Sequence, residues 1–277
     1  MNLVDLAITV EYAGEQKLII DDEDLLAWAR ENGRTPGEAQ IVALESGIVP
    51  HRYLKNLTAL TLSEQLRICG SAVFVCGCGG LGGTLVNLLS RAGTGFLRIA
   101  DCDVFAPSNL NRQLLSDIHQ MSRPKAETAL DSIAAINPFV RVESRTVLLD
   151  QSNAESLVSG CDLVLDAMDN IAGRFALAEA AARLNIPFVH AAVAGWWGQV
   201  CTFPPGSRVS LSNIYGNRRV KEDAEDAVGV MGPAAAVIGS LQAFEALRIL
   251  SGRQPSYANR LLYFDGETGE IVFLPLK

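Results

Sequence analysis

The sequence predicts an α/β fold: a Rossmann-like, mostly parallel sheet continued by antiparallel strands, with a small α+β appendage at the N-terminus. Three observations predict it. An apolar run at 72–76 leads into a glycine-rich turn, Gly77 to Gly82, and then into a helical pattern at 84–92 with Leu85, Leu88 and Leu89 on one face. Strand-like and helical stretches alternate from there to residue 184, the order of a parallel sheet with crossover helices. After 184 the strand-like runs follow one another directly, which suits antiparallel neighbours.

The appendage comes first in the chain. Residues 3–20 read as two short strands turned at Ala13-Gly14. Asp21 to Asp24 make an acidic helix start that suits the helix dipole. Leu25, Leu26, Trp28 and Ala29 form an apolar stripe, and Gly33 ends it. A further strand is expected at 41–45. Hairpin, helix and strand in that order match half of a ubiquitin-like roll, and the stretch IVALESGIVP resembles part of a small sulfur-carrier protein. No free Gly-Gly carboxyl terminus is present, so the segment is not itself a carrier. We place the boundary at residue 50: 1–50 is the appendage and 51–277 the main domain.

Residues 51–68 read as helical and lead into the central strand. Strand, glycine turn and helix in that order form a phosphate cradle. Glycine lets the backbone approach the ligand, and the helix start offers free N–H groups. The loop by itself leaves the nucleotide and the reaction open, an NAD(P)-dependent oxidoreductase included. The next strand ends at Asp101, 19 residues after Gly82, where an acidic side chain suits ribose hydroxyls. A helix is expected from Pro124 and Lys125 to Ile136, stopped by Asn137-Pro138. Strands follow at 140–149 and at 161–170, the latter ending in Asp166, Asp169 and Asn170, then a helix at 174–184. Two more strands occupy 186–195 and 196–203. Residues 204–228 are polar and turn-rich, which in a compact domain marks a functional or disordered loop. A long buried helix is bounded by Pro233 and Gly252, and the tail reads as a hairpin turned at Asp265-Gly266.

Bulk properties narrow the function. The chain has 277 residues, 49% of them hydrophobic, which is ample for one large core. No apolar run is expected to span a membrane, and Asp5 interrupts a start that has no basic residues, so the chain reads as soluble and cytoplasmic. The six cysteines contain no C-x-x-C pair, which argues for reduced thiols and against a structural zinc. The net charge is −8, and residues 1–50 hold −7 of it, ten acidic against three basic. The remainder is nearly neutral, so nucleic acid is an unlikely partner. The nearest approach to a basic cluster, Arg218, Arg219 and Lys221, is followed at once by acidic residues and reads as a solvated loop.

Over residues 51–277 the chain resembles the adenylating enzymes of the MoeB/ThiF/HesA group, which activate ubiquitin-like and sulfur-carrier proteins. The resemblance rests on GCGGLG, ADCDVFAPSNLNRQ, PKAETA, INP, LVLDAMDN, GQV and GVMGPAAAVIGSLQAFEALRIL, in that order. It implies an ATP-binding adenylation domain, Mg²⁺, a homodimer, and a small Gly-Gly-tailed partner whose terminal carboxylate attacks the α-phosphate. It further implies that Gly77, Gly79, Gly80 and Gly82 cradle the nucleotide and that Asp101 holds its ribose. Asn109, Arg112 and Gln113 would contact phosphates, and Lys125 would add a second cation. Asp169 would hold the metal, with Asp166 and Asn170 in support. Arg112 suits the clamp because a guanidinium meets oxyanions in a fork.

Three departures stand out. Lys55 occupies the place of an arginine that, in the resemblance, reaches across the dimer; the charge is kept and the fork is lost. The family's zinc-binding cysteine pairs are absent, and Ser210 to Tyr215 lies near the position of the first, where packing is expected instead. No cysteine lies in 218–230, so adenylation without a covalent step on this chain is expected. Cys201 and Cys78 read as small core residues. A short peptide or a modified tRNA base remains open as the substrate, as does a non-catalytic relative.

Overall fold

The computed structural model describes residues 2–216 and 228–277. Eleven strands form two sheets among these residues. The N-terminal sheet holds β1 (Ile8–Tyr12), β2 (Glu15–Ile20) and the short β3 (Ile48–Pro50), in the order β1-β2-β3. The large sheet has the order β11-β10-β9-β8-β7-β4-β5-β6. Its members are β4 (Ala72–Cys76), β5 (Phe96–Ala100), β6 (Arg141–Arg145), β7 (Leu163–Asp166), β8 (Phe188–Ala194), β9 (Trp197–Phe203), β10 (Arg260–Asp265) and β11 (Glu270–Pro275). Pairing is parallel from β6 through β8 and antiparallel from β8 through β11. The strand order reverses at β4 and β7, which opens a crevice at their C-terminal ends.

Side-chain alternation along β4 explains its central place. Val73 and Val75 enter one apolar cluster and Phe74 and Cys76 the other, so both faces of the strand are covered. The first cluster lies under α5 (Gly80–Ala92), α6 (Lys125–Ile136) and α10 (Gly232–Leu250). The second lies under α7 (Ala154–Val158) and α8 (Ile171–Arg183). Among the described residues α10 alone is long and apolar enough to cross a membrane, contrary to the expectation that no run reaches that length. Half of that stretch is buried in this fold, and its inward face packs on α5 and the sheet.

The N-terminal unit differs most from expectation. Residues 3–6 form a helical turn, α1 (Leu3–Leu6), instead of opening a strand. After α2 (Asp22–Glu31), the stretch expected as a strand at 41–45 belongs to a second helix, α3 (Pro36–Glu45). Thr35 and Glu38 make a reciprocal capping box there and Pro36 sits in the first turn, so the local start signals outweigh the β-branched run. Two helices thus stand between the hairpin and β3, which pairs parallel with β2.

Residues 51–68 are not one helix. A 3-10 turn, His51–Asn56, precedes α4 (Leu62–Gly70), which starts at its own capping box on Thr61 and Glu64. Tyr53 in that turn fastens the N-terminal unit to the main sheet. It is fully buried, its phenol donates to Gln40 Oε1 (2.9 Å) and accepts from Asn137 Nδ2 (2.8 Å). Arg52 binds Asp22 and the carbonyl of Ile136. The last hairpin turns over 266–269 instead of a two-residue loop, with Gly269 at φ +77°. The basic residues Arg218, Arg219 and Lys221 lie outside the described residues.

Candidate nucleotide site

The crevice at the ends of β4 and β7 holds a cavity of about 470 Å³. Its floor is the glycine turn. Gly77 has φ +97°, and a Cβ there would lie 2.4 Å from the carbonyl of Ala167. A Cβ on Gly82 would lie 1.8 Å from Gly77 O, so α5 can start against the turn only with glycine at 82. Gly77, Gly79 and Gly80 line the cavity, whereas Gly82 stands behind it as packing. Gly79 caps α5, whose first N–H groups have no carbonyl partners within the helix. The start of α5 therefore presents donors and the positive end of a dipole to the cavity.

Other expected residues meet the same space. Arg112 and Gln113 line one wall, Asp101 another, and Asp169 and Asn170 the rim. Arg112 hydrogen-bonds Ser108 O and Asn111 Oδ1, which hold its guanidinium beside the glycine turn. The side-chain oxygen of Gln113 is buried without a partner, the mark of a polar group that awaits a ligand or its water. Asp101 accepts from Cys78 N (2.7 Å) and Asp103 N (2.8 Å), so the glycine turn is clamped to the end of β5. Burial raises the Asp101 pKa against these two donors. Asp169 is exposed, and its side chain meets that of Asn170 at 3.4 Å. Asn170 caps α8 through Gly173 N.

Three expected residues stand elsewhere. Asn109 is buried and its amide oxygen accepts from Ala106 N; it shapes the turn that carries Arg112 instead of lining the cavity. Lys125 is buried behind the wall, with Nζ 3.0 Å from Asp103 Oδ2, because the N-terminus of α6 directs it at the end of β5. Lys55 lies far along the chain fold with its ammonium 4.7 Å from the ring centre of Tyr12, over the N-terminal hairpin.

Asp166, which the resemblance sets in support of Asp169, does not line the cavity. Its side chain is fully buried beneath the rim, where Oδ2 meets His190 Nδ1 (2.7 Å) and Arg174 (3.1 Å). Burial opposes its charge, but Arg174 and His190 prevail and hold its pKa below the usual carboxylate range. Burial also lowers the pKa of His190, against the pull of Asp166. Near the position of the family's first cysteine pair, which this chain lacks, Leu211 is buried in the core and Tyr215, at the end of α9 (Ser212–Tyr215), reaches His190 and Gln199.

Sequence reasoning missed the apolar side of the cavity. Val147, Leu148 and Leu149 follow β6 and, with Met168 and Ala172, offer a surface for a flat aromatic base. The sequence places 147–149 in a strand, but β6 ends at Arg145 and frees these apolar residues to line the cavity. It also missed Cys102 and Asp103, which line the cavity. All the cysteines are free thiols; Cys78 and Cys201 are fully buried and shifted up by burial, Cys201 to about 12, as core residues are.

A glycine-cradled helix start, a guanidinium and an open carboxylate around one space suit a nucleotide. The family model described as the ThiF family matches residues 52–277. The chain belongs to the ThiF family. Its relatives include the probable adenylyltransferase/sulfurtransferase MoeZ of Mycobacterium tuberculosis, 35% identical over 77% of this chain. That match spans 57% of MoeZ, little more than half of its length. The sulfur carrier protein ThiS adenylyltransferase of Escherichia coli is 32% identical, over 82% of this chain and 91% of that protein. Among solved structures, the microcin C7 biosynthetic enzyme MccB in complex with N-formylated MccA shares the fold. Its TM-score is 0.69 at 16% identity, covering 99% of this chain and 96% of that one. The family model starts at residue 52, whereas the likeness of fold to MccB runs through the N-terminal unit as well.

Proposed function

We propose that this ThiF-family chain is an adenylyltransferase that activates the C-terminal glycine carboxylate of a small ubiquitin-like sulfur-carrier protein with ATP. The observation that carries the reading is the convergence of the α5 start, Arg112 and Asp169 on one cavity. A carboxylate oxygen attacks the α-phosphorus, the bond to the bridging oxygen breaks, and pyrophosphate leaves with the charge. The products are an acyl-adenylate and pyrophosphate. Such a displacement needs charge neutralisation and in-line placement more than covalent help. The α5 N–H groups and Arg112 bind the triphosphate, Asp101 accepts ribose hydroxyls on its remaining lone pairs, and residues 147–149 cover the base. Asp169 would hold Mg²⁺, which supplies charge neutralisation at the phosphates. Lys125 acts from behind Asp103 and sets its position instead of touching phosphate.

A homodimer fits the surface. Val237 and Phe244 face outward on α10, and Leu110, Leu114 and Ile118 are exposed on the neighbouring segment. A Cβ on Gly232 would lie 2.7 Å from Asn111 O, so the start of α10 abuts the segment that carries these residues. In such a dimer Lys55 serves the partner's site. The cytoplasm, with its ATP, is the setting this reading requires.

The decisive experiment is exchange of labelled pyrophosphate into ATP, with and without Gly-Gly-tailed carriers. Exchange that depends on a carrier supports the reading, and none with any carrier sinks it. A mixture of Lys55→Ala and Arg112→Ala should regain part of the activity that each lacks; a monomer in solution rules the shared site out. A second reading, a short peptide as the acceptor, is favoured by the N-terminal unit. That unit is strongly acidic and leaves one edge of β1 without a partner strand among the described residues. Exchange that responds to basic peptides and not to carriers would select it.

A further inference from the structure

Beneath the cavity rim lies a chain of buried and half-buried polar groups that the proposed reaction does not use directly. Gln199 Nε2 donates to the Tyr215 phenol (2.9 Å), and the phenol lies 3.0 Å from His190 Nε2. His190 Nδ1 lies 2.7 Å from Asp166 Oδ2, and Arg174 pairs with the same carboxylate. Arg174 also donates to the carbonyls of Met168 and Ala191. One assignment accounts for the links along this chain. Gln199 donates to Tyr215, Tyr215 to His190 Nε2, and the Nδ1 proton goes to Asp166, which Arg174 neutralises.

The far end of this chain holds the backbone that carries Asp169. Asp166 Oδ1 accepts from Met168 N, and Arg174 binds Met168 O. Ala167 N bonds Cys76 O on β4, and Asn170 is fixed as the cap of α8. The turn is thus held residue by residue, while the Asp169 side chain stays exposed toward the cavity. Polar networks of this depth specify one arrangement when every member is satisfied.

We propose that Tyr215 is a positioning residue for Asp169, acting through His190, Asp166 and Arg174. This rests on the reading of Asp169 as the Mg²⁺ ligand. Tyr215 belongs to a short helix remote in sequence from the cavity, and it sets the geometry in which the divalent ion is held with ATP. Misplacement by a fraction of an ångström weakens ion binding without altering the phosphate and base contacts.

The test is calorimetric titration of ATP into the full chain, with Mg²⁺ and with EDTA. Tyr215→Phe keeps the ring and removes the donor to His190. The expected result is unchanged ATP affinity in EDTA and a several-fold smaller gain from Mg²⁺. Gln199→Met, which removes the donor to Tyr215, should give a smaller loss of the same kind. In an Asp169→Ala background, Tyr215→Phe should change the Mg²⁺ gain no further. Equal weakening with and without Mg²⁺, no change at all, or a wild-type chain without a Mg²⁺ gain would each overturn the proposal. So would unfolding of Tyr215→Phe, since the network would then serve the fold itself. Failure of the adenylation reading shows differently: no pyrophosphate exchange while the Mg²⁺ gain and its dependence on Tyr215 persist.

Discussion

Two aspartates three residues apart, Asp166 and Asp169, occupy opposite environments. Asp166 ends β7, fully buried, and is matched to Arg174 and His190. Asp169 lies one turn later, exposed at the cavity rim with Asn170 as its side-chain neighbour. The same residue type therefore does two jobs. One carboxylate is matched inside the protein and holds structure; the other is exposed at the cavity rim, where the proposed reaction would use it. Burial and partners make that division, and the spacing Asp-x-x-Asp alone does not.

The comparison predicts opposite phenotypes. Asp166→Ala leaves Arg174 buried without its carboxylate, which costs about 3–5 kcal/mol. In a protein of this size that is a fall in melting temperature of roughly 10 °C, at 2–4 °C per kcal/mol. Asp169→Ala should leave the melting temperature unchanged and abolish carrier-dependent pyrophosphate exchange. If Asp169→Ala melts early, or Asp166→Ala is as stable as wild type, the division between the two is wrong.

The two cations divide in the same way. Arg112→Ala removes a charge that faces the cavity and should slow exchange about 100- to 1000-fold, the range for losing one group that stabilises developing charge. Lys125→Met, behind Asp103, should slow exchange about tenfold or less. Steady-state exchange rates rank them, and a larger loss at Lys125 would return it to direct phosphate contact. Gly82→Ala tests the packing beneath the turn. Its methyl would collide with Gly77 O, and a loss of about 1–3 kcal/mol in chemical denaturation, with weaker ATP binding, is expected.

The smallest effect concerns pH. His190 is buried and its pKa is lowered, so the unfolded chain binds a proton that the folded chain refuses. Stability should therefore fall as pH drops below about 6.5, the unfolded value, and level off near the lowered folded value. The slope for one proton is about 1.4 kcal/mol per pH unit. Asp166 contributes with the opposite history. Its stabilisation is complete above the unfolded carboxylate value, about 3.9, and is lost only as pH falls through its lowered folded value. Thermal melts from pH 7.5 to 5 check the His190 window; a flat profile there would mean an unshifted pKa, and stability that rises as pH falls would mean a raised one.

Much of this architecture was legible in the chain. The run 72–92 reads as strand, turn and helix because a short continuous apolar run gives way, across a glycine block, to a 3.6-residue apolar period. The helix at 125–136 ends where Asn137-Pro138 ends it. The N-terminal unit was less legible. The stretch at 41–45 is short and apolar, and such a run suits a strand or a buried helix until the capping box at Thr35 is given weight. In the site, Arg112, Gln113, Asp101 and Asp169 were recognisable by their place in motifs, whereas Asn109, Lys125 and Asp166 were recognisable but misplaced. Their side chains turn inward, and direction depends on the packing of α6, α8 and β8.

By itself the sequence determined the order of elements, the glycine turn and the charged groups around it, because these follow from local periodicity and from backbone freedom that only glycine has. Only the tertiary structure decided which of those groups face the cavity. It brought residues 147–149 to the cavity, sank Lys125 behind Asp103, and linked Tyr215 to Asp166 through His190. The reason is physical. Exposure and hydrogen-bond partners come from contacts between segments far apart in the chain, and they decide whether a charge serves the fold or a ligand.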